Sequence, residues 1–125
     1  MNDTETPSTV LIVEDQPDAC GFIKAALDPS YKVLTAANRD EALRILAGQH
    51  VDLILLDYWM PGTSASVFMN RVRTLFPHIR VIVITAQGHA EAVAQLLSIE
   101  SYLPKPFTQG QLLEIVKKTL APRSA

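Results

Sequence analysis

The chain has a single cysteine, Cys20, among 125 residues. That count excludes a disulfide framework and a thiolate metal cluster within the chain, and Cys20 is expected as a packed or half-exposed residue of the first helix. Blocks of like charge are also missing. Eleven basic and 13 acidic side chains leave a net charge of -2, so nothing favours direct nucleic-acid binding or attachment to an anionic membrane. No apolar run approaches the ~20 residues of a spanning helix. Met1 to Thr9 is polar, with Asp3, Glu5 and Pro7, and has none of the basic-then-apolar pattern of a signal peptide. A cytoplasmic protein is expected. There is neither an internal repeat nor a linker. What is present is 48% hydrophobic and 19% charged, an ordinary globular composition at a length suited to one domain with a real core.

Taken in order, the chain alternates short aliphatic runs with helical patterns. Val10–Val13 reads as a strand ending in Glu14-Asp15, and Pro17 opens a helix carrying Ala19, Phe22, Ile23, Ala26 and Leu27. Tyr31–Ala36 is a second strand. A second helix begins near Asn38 or Arg39 and stops at Gly48. Leu53–Leu56 is apolar on both faces, as in a buried parallel strand, and runs into Asp57 and the turn Met60-Pro61-Gly62. Ser64 caps a third helix that ends before Pro77. Arg80–Thr85 is a fourth strand, His89–Leu97 a fourth helix, and Ser101–Leu103 a fifth strand leading to Pro104-Lys105-Pro106. Thr108 caps the last helix, which Pro122 ends. Five strands alternating with five helices predict an α/β fold: a flavodoxin-like, doubly wound, five-stranded parallel sheet of order 2-1-3-4-5. The domain is expected over residues 9–121, with a disordered tail at 1–8 and a short one at 122–125.

In such a winding the carboxyl ends of the central strands share one edge, where open α/β sheets place their ligands. Glu14 and Asp15 arrive there from strand one, Asp57 from strand three, Thr85 from strand four and Lys105 from strand five. Taken singly, each has a plain reading: a solvated loop, a strand-end acid, a satisfied hydroxyl, an exposed turn lysine. Together they crowd three carboxylates into one cleft. At ~5 Å and an effective dielectric of ~20, each pair repels by roughly 3 kcal/mol, more than one ammonium is expected to balance. A hard divalent cation with oxygen ligands relieves that repulsion, and Mg²⁺ suits a site with few protein ligands; Mn²⁺ is expected to substitute. Such a cation also neutralises an incoming phosphoryl group, with Lys105 holding another of its oxygens and Thr85 offering a hydroxyl donor. Asp57 is then a carboxylate nucleophile that forms an aspartyl phosphate.

The combination of Glu14-Asp15, Asp57 with Met60-Pro61-Gly62, Thr85-Ala86 and Lys105-Pro106-Phe107 resembles the receiver domain of two-component response regulators. The resemblance spans nearly the whole chain. It implies phosphoryl transfer to Asp57 from a histidine kinase or a histidine phosphotransfer protein, assisted by the domain itself, as is the later hydrolysis. It also implies Asp15 as a direct Mg²⁺ ligand, Glu14 as one acting mainly through water, the Trp59 backbone carbonyl as a further ligand, and a cis bond between Lys105 and Pro106. Trp59, Ala86 and Gln87 are expected around the phosphoryl entrance. Thr85 and Tyr102 are the expected switch residues, altering the surface of helix four, strand five and helix five. An output domain, a downstream protein or a second copy of the chain would dock there.

Some positions depart from the family. The Thr85–Lys105 segment is slightly short, and the Gly-Ala pair that commonly follows helix four is replaced around Leu97-Ser98-Ile99-Glu100, so helix four is expected to be short, shifted or mobile. Ala65 stands where a glycine is frequent. Trp59 is bulky for its position and is expected to shield the phosphoryl group from water. Two readings compete: a receiver-like scaffold that is never phosphorylated, and an aspartate-nucleophile phosphohydrolase. The hydrolase would need a second acid near the nucleophile and a cap sequence, whereas Tyr58 and Trp59 follow Asp57. A flavin or nucleotide binder would want a glycine- or hydroxyl-rich phosphate loop where Glu14-Asp15-Gln16 stands.

Overall fold

The computed structural model describes residues 7–122. The elements follow in the order β1 (Thr9–Val13), α1 (Pro17–Leu27), β2 (Lys32–Ala36), α2 (Arg39–Gly48), β3 (Leu53–Asp57), α3 (Ala65–Leu75), β4 (Arg80–Ala86), α4 (Ala90–Leu96), β5 (Ser101–Lys105) and α5 (Gln109–Leu120). All strand pairs are parallel, in the order β2-β1-β3-β4-β5, which is the flavodoxin-like winding. The expected tails lie mostly outside the described residues. Ser8, at the end of the first, is tied to the sheet: its carbonyl accepts from the Lys32 N–H at 3.0 Å.

The aliphatic strands sort their side chains by alternation. Leu11, Val13, Ile54, Leu56, Val81 and Val83 face α2, α3 and α4, where Phe68 and Val72 fill much of the layer. Val10, Ile12, Leu53, Leu55, Ile82 and Ile84 face the other way, onto Ile23 and Leu27 of α1 and Leu112 and Val116 of α5. Covered on both sides, β1 and β3 are buried along their whole length. A residue one step beyond either strand therefore emerges at a fixed place on the sheet's carboxyl edge.

The helix starts follow local chemistry. Asn38, Ser64 and Thr108 each accept a backbone N–H three residues on, from Glu41, Val67 and Gln111, and Gln111 returns a bond to the Thr108 N–H at 2.9 Å. The short α4 ends in a Schellman motif. Ile99 N–H donates to the Ala94 carbonyl at 2.8 Å and Ser98 N–H to Gln95 at 3.1 Å, with Ser98 at φ +57° and Ile99 buried. The Arg73 guanidinium of α3 donates to the freed carbonyls of Leu97 and Ser98. Helix four is thus short, as the missing Gly-Ala pair suggests, but a serine caps it and an arginine ties it to α3.

Candidate functional site

Val13 of β1 pairs with Leu56 of β3, so the next residues, Glu14 and Asp57, leave adjacent strands side by side. Both are buried, each 4% exposed, while Asp15 is half-buried. One carboxylate oxygen from each of Glu14, Asp15 and Asp57 falls within 4.8 Å of the others. Lys105 arrives at the end of β5, whose Pro104 pairs with Thr85 and Lys105 with Ala86. Its ammonium Nζ donates to Asp57 Oδ1 at 3.3 Å and lies 3.6 Å from Glu14 Oε1. The peptide bond that follows, Lys105–Pro106, is cis.

The electrostatics of the cluster show in Glu14. Burial pushes its carboxyl above the ordinary value and the nearby Asp57 charge adds to the rise, against the Gln16 N–H and the Lys105 ammonium. Gln16 N–H reaches Oε2 at 3.1 Å, whereas Oε1 is buried with no hydrogen-bond donor. An orphaned carboxylate oxygen inside an all-oxygen cluster is the donor set a hard cation takes, so these residues fit an Mg²⁺-type ion. Thr85 is wholly buried, and its Oγ1 likewise has no partner. Trp59, Ala86 and Gln87 are exposed, and the Gln87 N–H donates to the Lys105 carbonyl at 2.9 Å. The Trp59 indole is 68% exposed and stands edge-on to Tyr58, with ring centroids 5.1 Å apart. Tyr102, opposite Val83 on β5, is half-buried against the α2–α4 side of the core. Cys20 is half-buried on α1.

The cluster has one member with no forewarning in its sequence pattern. Arg39, the first residue of α2, is 2% exposed, and its guanidinium reaches behind β3 to donate to the Asp57 carbonyl at 3.3 Å and the Tyr58 carbonyl at 2.6 Å. Burial lowers its pKa, and the Asp57 charge acts the other way, but a guanidinium remains protonated in a protein. Arg39 thus adds a positive group that the sequence reading does not include. Two positive groups flank Asp57, one on its side chain and one on its main chain.

Comparison with known proteins agrees with this geometry. Residues 10–117 match the family model for the response regulator receiver domain. Among curated proteins, the chain is 31% identical over 120 residues to the hydrogenase transcriptional regulatory protein HoxA of Cupriavidus necator, covering 94% of this chain but 25% of that one. It is 30% identical over 118 residues to sporulation initiation phosphotransferase F of Bacillus subtilis, covering 92% of this chain and 95% of that one. The chain thus spans a quarter of the first relative and nearly all of the second. Of solved structures, the response regulator TrrA of Thermotoga maritima, in complex with Mg²⁺-BeF, has a TM-score of 0.80 at 31% identity, covering 90% of this chain and 99% of that one. A putative response regulator from Chloroflexus aurantiacus has a TM-score of 0.85 at 30% identity, covering 94% of this chain and 100% of that one. With its sheet order, its acid cluster and a family match over most of its length, the chain belongs to the receiver domains of two-component response regulators.

Proposed function

We propose that this domain, over residues 9–121, accepts a phosphoryl group on Asp57 from a phosphohistidine of a histidine kinase or a histidine phosphotransfer protein, in an Mg²⁺-dependent reaction. The observation that carries the reading is the Asp57 carboxylate, 4% exposed, with the Lys105 ammonium 3.3 Å from it and two further carboxylates within 4.8 Å. An Asp57 carboxylate oxygen attacks phosphorus as the bond from phosphorus to the imidazole nitrogen breaks. The electron pair stays on the imidazole, which becomes neutral or takes a proton from solvent. Asp57, Asp15, Glu14 and the Trp59 carbonyl are the groups that would hold the cation, whose chemistry is neutralisation of the phosphoryl oxygens. Mn²⁺, with the same preference for oxygen, is expected to replace it. Lys105 orients another phosphoryl oxygen, and Thr85, with an unspent hydroxyl, donates to the third. That the similar protein TrrA forms a complex with Mg²⁺-BeF supports an Mg²⁺-dependent reading of this domain.

The addition of nearly two negative charges then recruits Thr85 inward, and Tyr102 follows into the space it leaves. The α4–β5–α5 surface changes as a result, for an output domain, a downstream protein or a second copy to read. The role is that of a signalling phosphoacceptor, acting as a catalyst only in its own phosphorylation and dephosphorylation. The same reading sets the domain in the cytoplasm with its phosphodonor; among the described residues no helix is long and apolar enough to cross a membrane.

Incubation with a small phosphodonor and Mg²⁺, followed by intact mass, tests the proposal. One phosphoryl adduct, absent in Asp57→Asn and without added Mg²⁺, is expected. An unmodified wild-type protein would instead support the scaffold reading, and turnover of free phosphomonoesters the hydrolase reading.

A further inference from the structure

Arg39 has work beyond starting a helix. A guanidinium is costly to bury and is usually repaid by a facing carboxylate. Among the described residues, no carboxylate forms a salt bridge with Arg39. It spends its charge instead on four main-chain carbonyls, one at the end of β3 and three in the loop that leads to α3. Nη2 donates to Asp57 at 3.3 Å and Tyr58 at 2.6 Å, and Nη1 to Met60 at 3.4 Å and Thr63 at 2.8 Å. The neighbouring Asp40 adds to the grip, its Oδ1 accepting the Thr63 hydroxyl at 2.6 Å. The loop has little else to define it: Tyr58 N–H bonds to Ile84 at 2.9 Å and Met60 N–H to Tyr58 at 3.2 Å, and Gly62 turns the chain at φ +101°.

The carbonyls on either side of Trp59, those of Tyr58 and Met60, are both drawn to the guanidinium, and no described hydrogen bond uses the Trp59 carbonyl. We propose that Arg39 is a positioning residue for the cation site. By holding the flanking carbonyls it fixes the loop so that the Trp59 carbonyl stays free and aligned with the Asp57 carboxylate for the divalent ion. This rests on the cation reading of the acid cluster given above. A fork of paired donors can hold several carbonyls in one plane, whereas a lysine ammonium is a point charge that cannot. Charge alone and clamp geometry are therefore separable.

The test is an Mg²⁺ titration of the whole chain followed by fluorescence of Trp59, the sole tryptophan, with amide exchange of residues 58–63 measured alongside. Groups that hold a metal ligand in place typically matter 10- to 100-fold for affinity; Arg39→Lys is expected to raise the Mg²⁺ dissociation constant by at least roughly tenfold on that scale. Arg39→Gln is expected to raise it further, and both should speed exchange at residues 58–63. A merely structural arginine would lower the melting temperature but leave the dissociation constant of the folded fraction alone, and that result overturns the proposal. The titrations are run in sucrose, which favours the folded state of every variant, so that an unchanged dissociation constant in the folded Arg39 variants overturns the clamp. Asp15→Asn separates the two levels. Loss of Mg²⁺ binding there, with unchanged binding in both Arg39 variants, removes the role of Arg39 and leaves the acid site. Wild-type binding that Asp15→Asn does not weaken removes the acid-site reading, and this proposal with it.

Discussion

Replacing Thr85 with valine should stabilise the resting domain and disable its response, two effects of opposite sign from one substitution. Thr85 is fully buried and its hydroxyl has no partner. An unsatisfied buried polar group costs about 1–3 kcal/mol, and an apolar group of the same shape avoids that cost. At the lower end, about 1 kcal/mol, a domain of this size should gain about 3–5 °C in melting temperature. The phosphorylated state reverses the balance. There the hydroxyl would donate to a charged oxygen, a bond that contributes about 1.5–3 kcal/mol, or roughly ten- to over a hundredfold in a two-state equilibrium. The assay is thermal or urea unfolding of wild type and Thr85→Val, each with and without Mg²⁺ and beryllofluoride as a phosphoryl mimic. Wild type should gain more stability from the mimic than the variant, while the variant starts higher. A Thr85→Val domain that melts at or below wild type would refute the unpaired hydroxyl. One that gains as much from the mimic would refute the switch contact.

Three further outcomes are expected. Glu14 has a folded-state pKa raised above its ordinary 4.5 by burial, with Asp57 adding to the rise, so the folded state holds its proton to higher pH than the unfolded chain does. Its contribution is fully present below pH 4.5 and is lost as pH rises through the folded value; metal-free Glu14→Gln should therefore melt above wild type at neutral pH, with the gap closing on acidification. Ser98→Gly relieves a non-glycine residue at φ +57° and should stabilise the domain by about 0.5–1 kcal/mol, read by urea unfolding. Trp59→Ala should shorten the lifetime of the aspartyl phosphate, followed by intact mass after removal of the phosphodonor; an unchanged lifetime would show that the exposed indole does not screen the site.

Much of the molecule was legible in order along the chain. Runs such as Leu53–Leu56 and Val81–Ile84 announce buried parallel strands because both of their faces are apolar. A strand that must be central also fixes where its last residue lies, and that is how Glu14, Asp15, Asp57 and Lys105 could be gathered at one edge from a linear pattern. Ser64 and Thr108 could be read as caps because a cap bond closes within three residues, whereas Asn38 is only one of two possible helix starts until its bond to the Glu41 N–H is seen. β4 and β5 run past the limits their apolar stretches predict: the ladder between them extends through the Ala86–Lys105 pair, since a partner's register keeps a strand going past its apolar run.

Tertiary structure decided what depended on distant partners. Arg39 sits between a cap and an acidic turn and looks like a solvent-facing helix residue; only the end of β3 and the loop to α3 folding over it make it buried and give it four carbonyls to bind. Ser98 carries no signal for a left-handed cap, and it holds that conformation where Ile99 is buried and Arg73 reaches across from α3. The acids and the lysine could be inferred from sequence because strand order alone brings them together. The guanidinium behind them could not, because its role exists only once a loop some twenty residues away in the chain has been laid against α2.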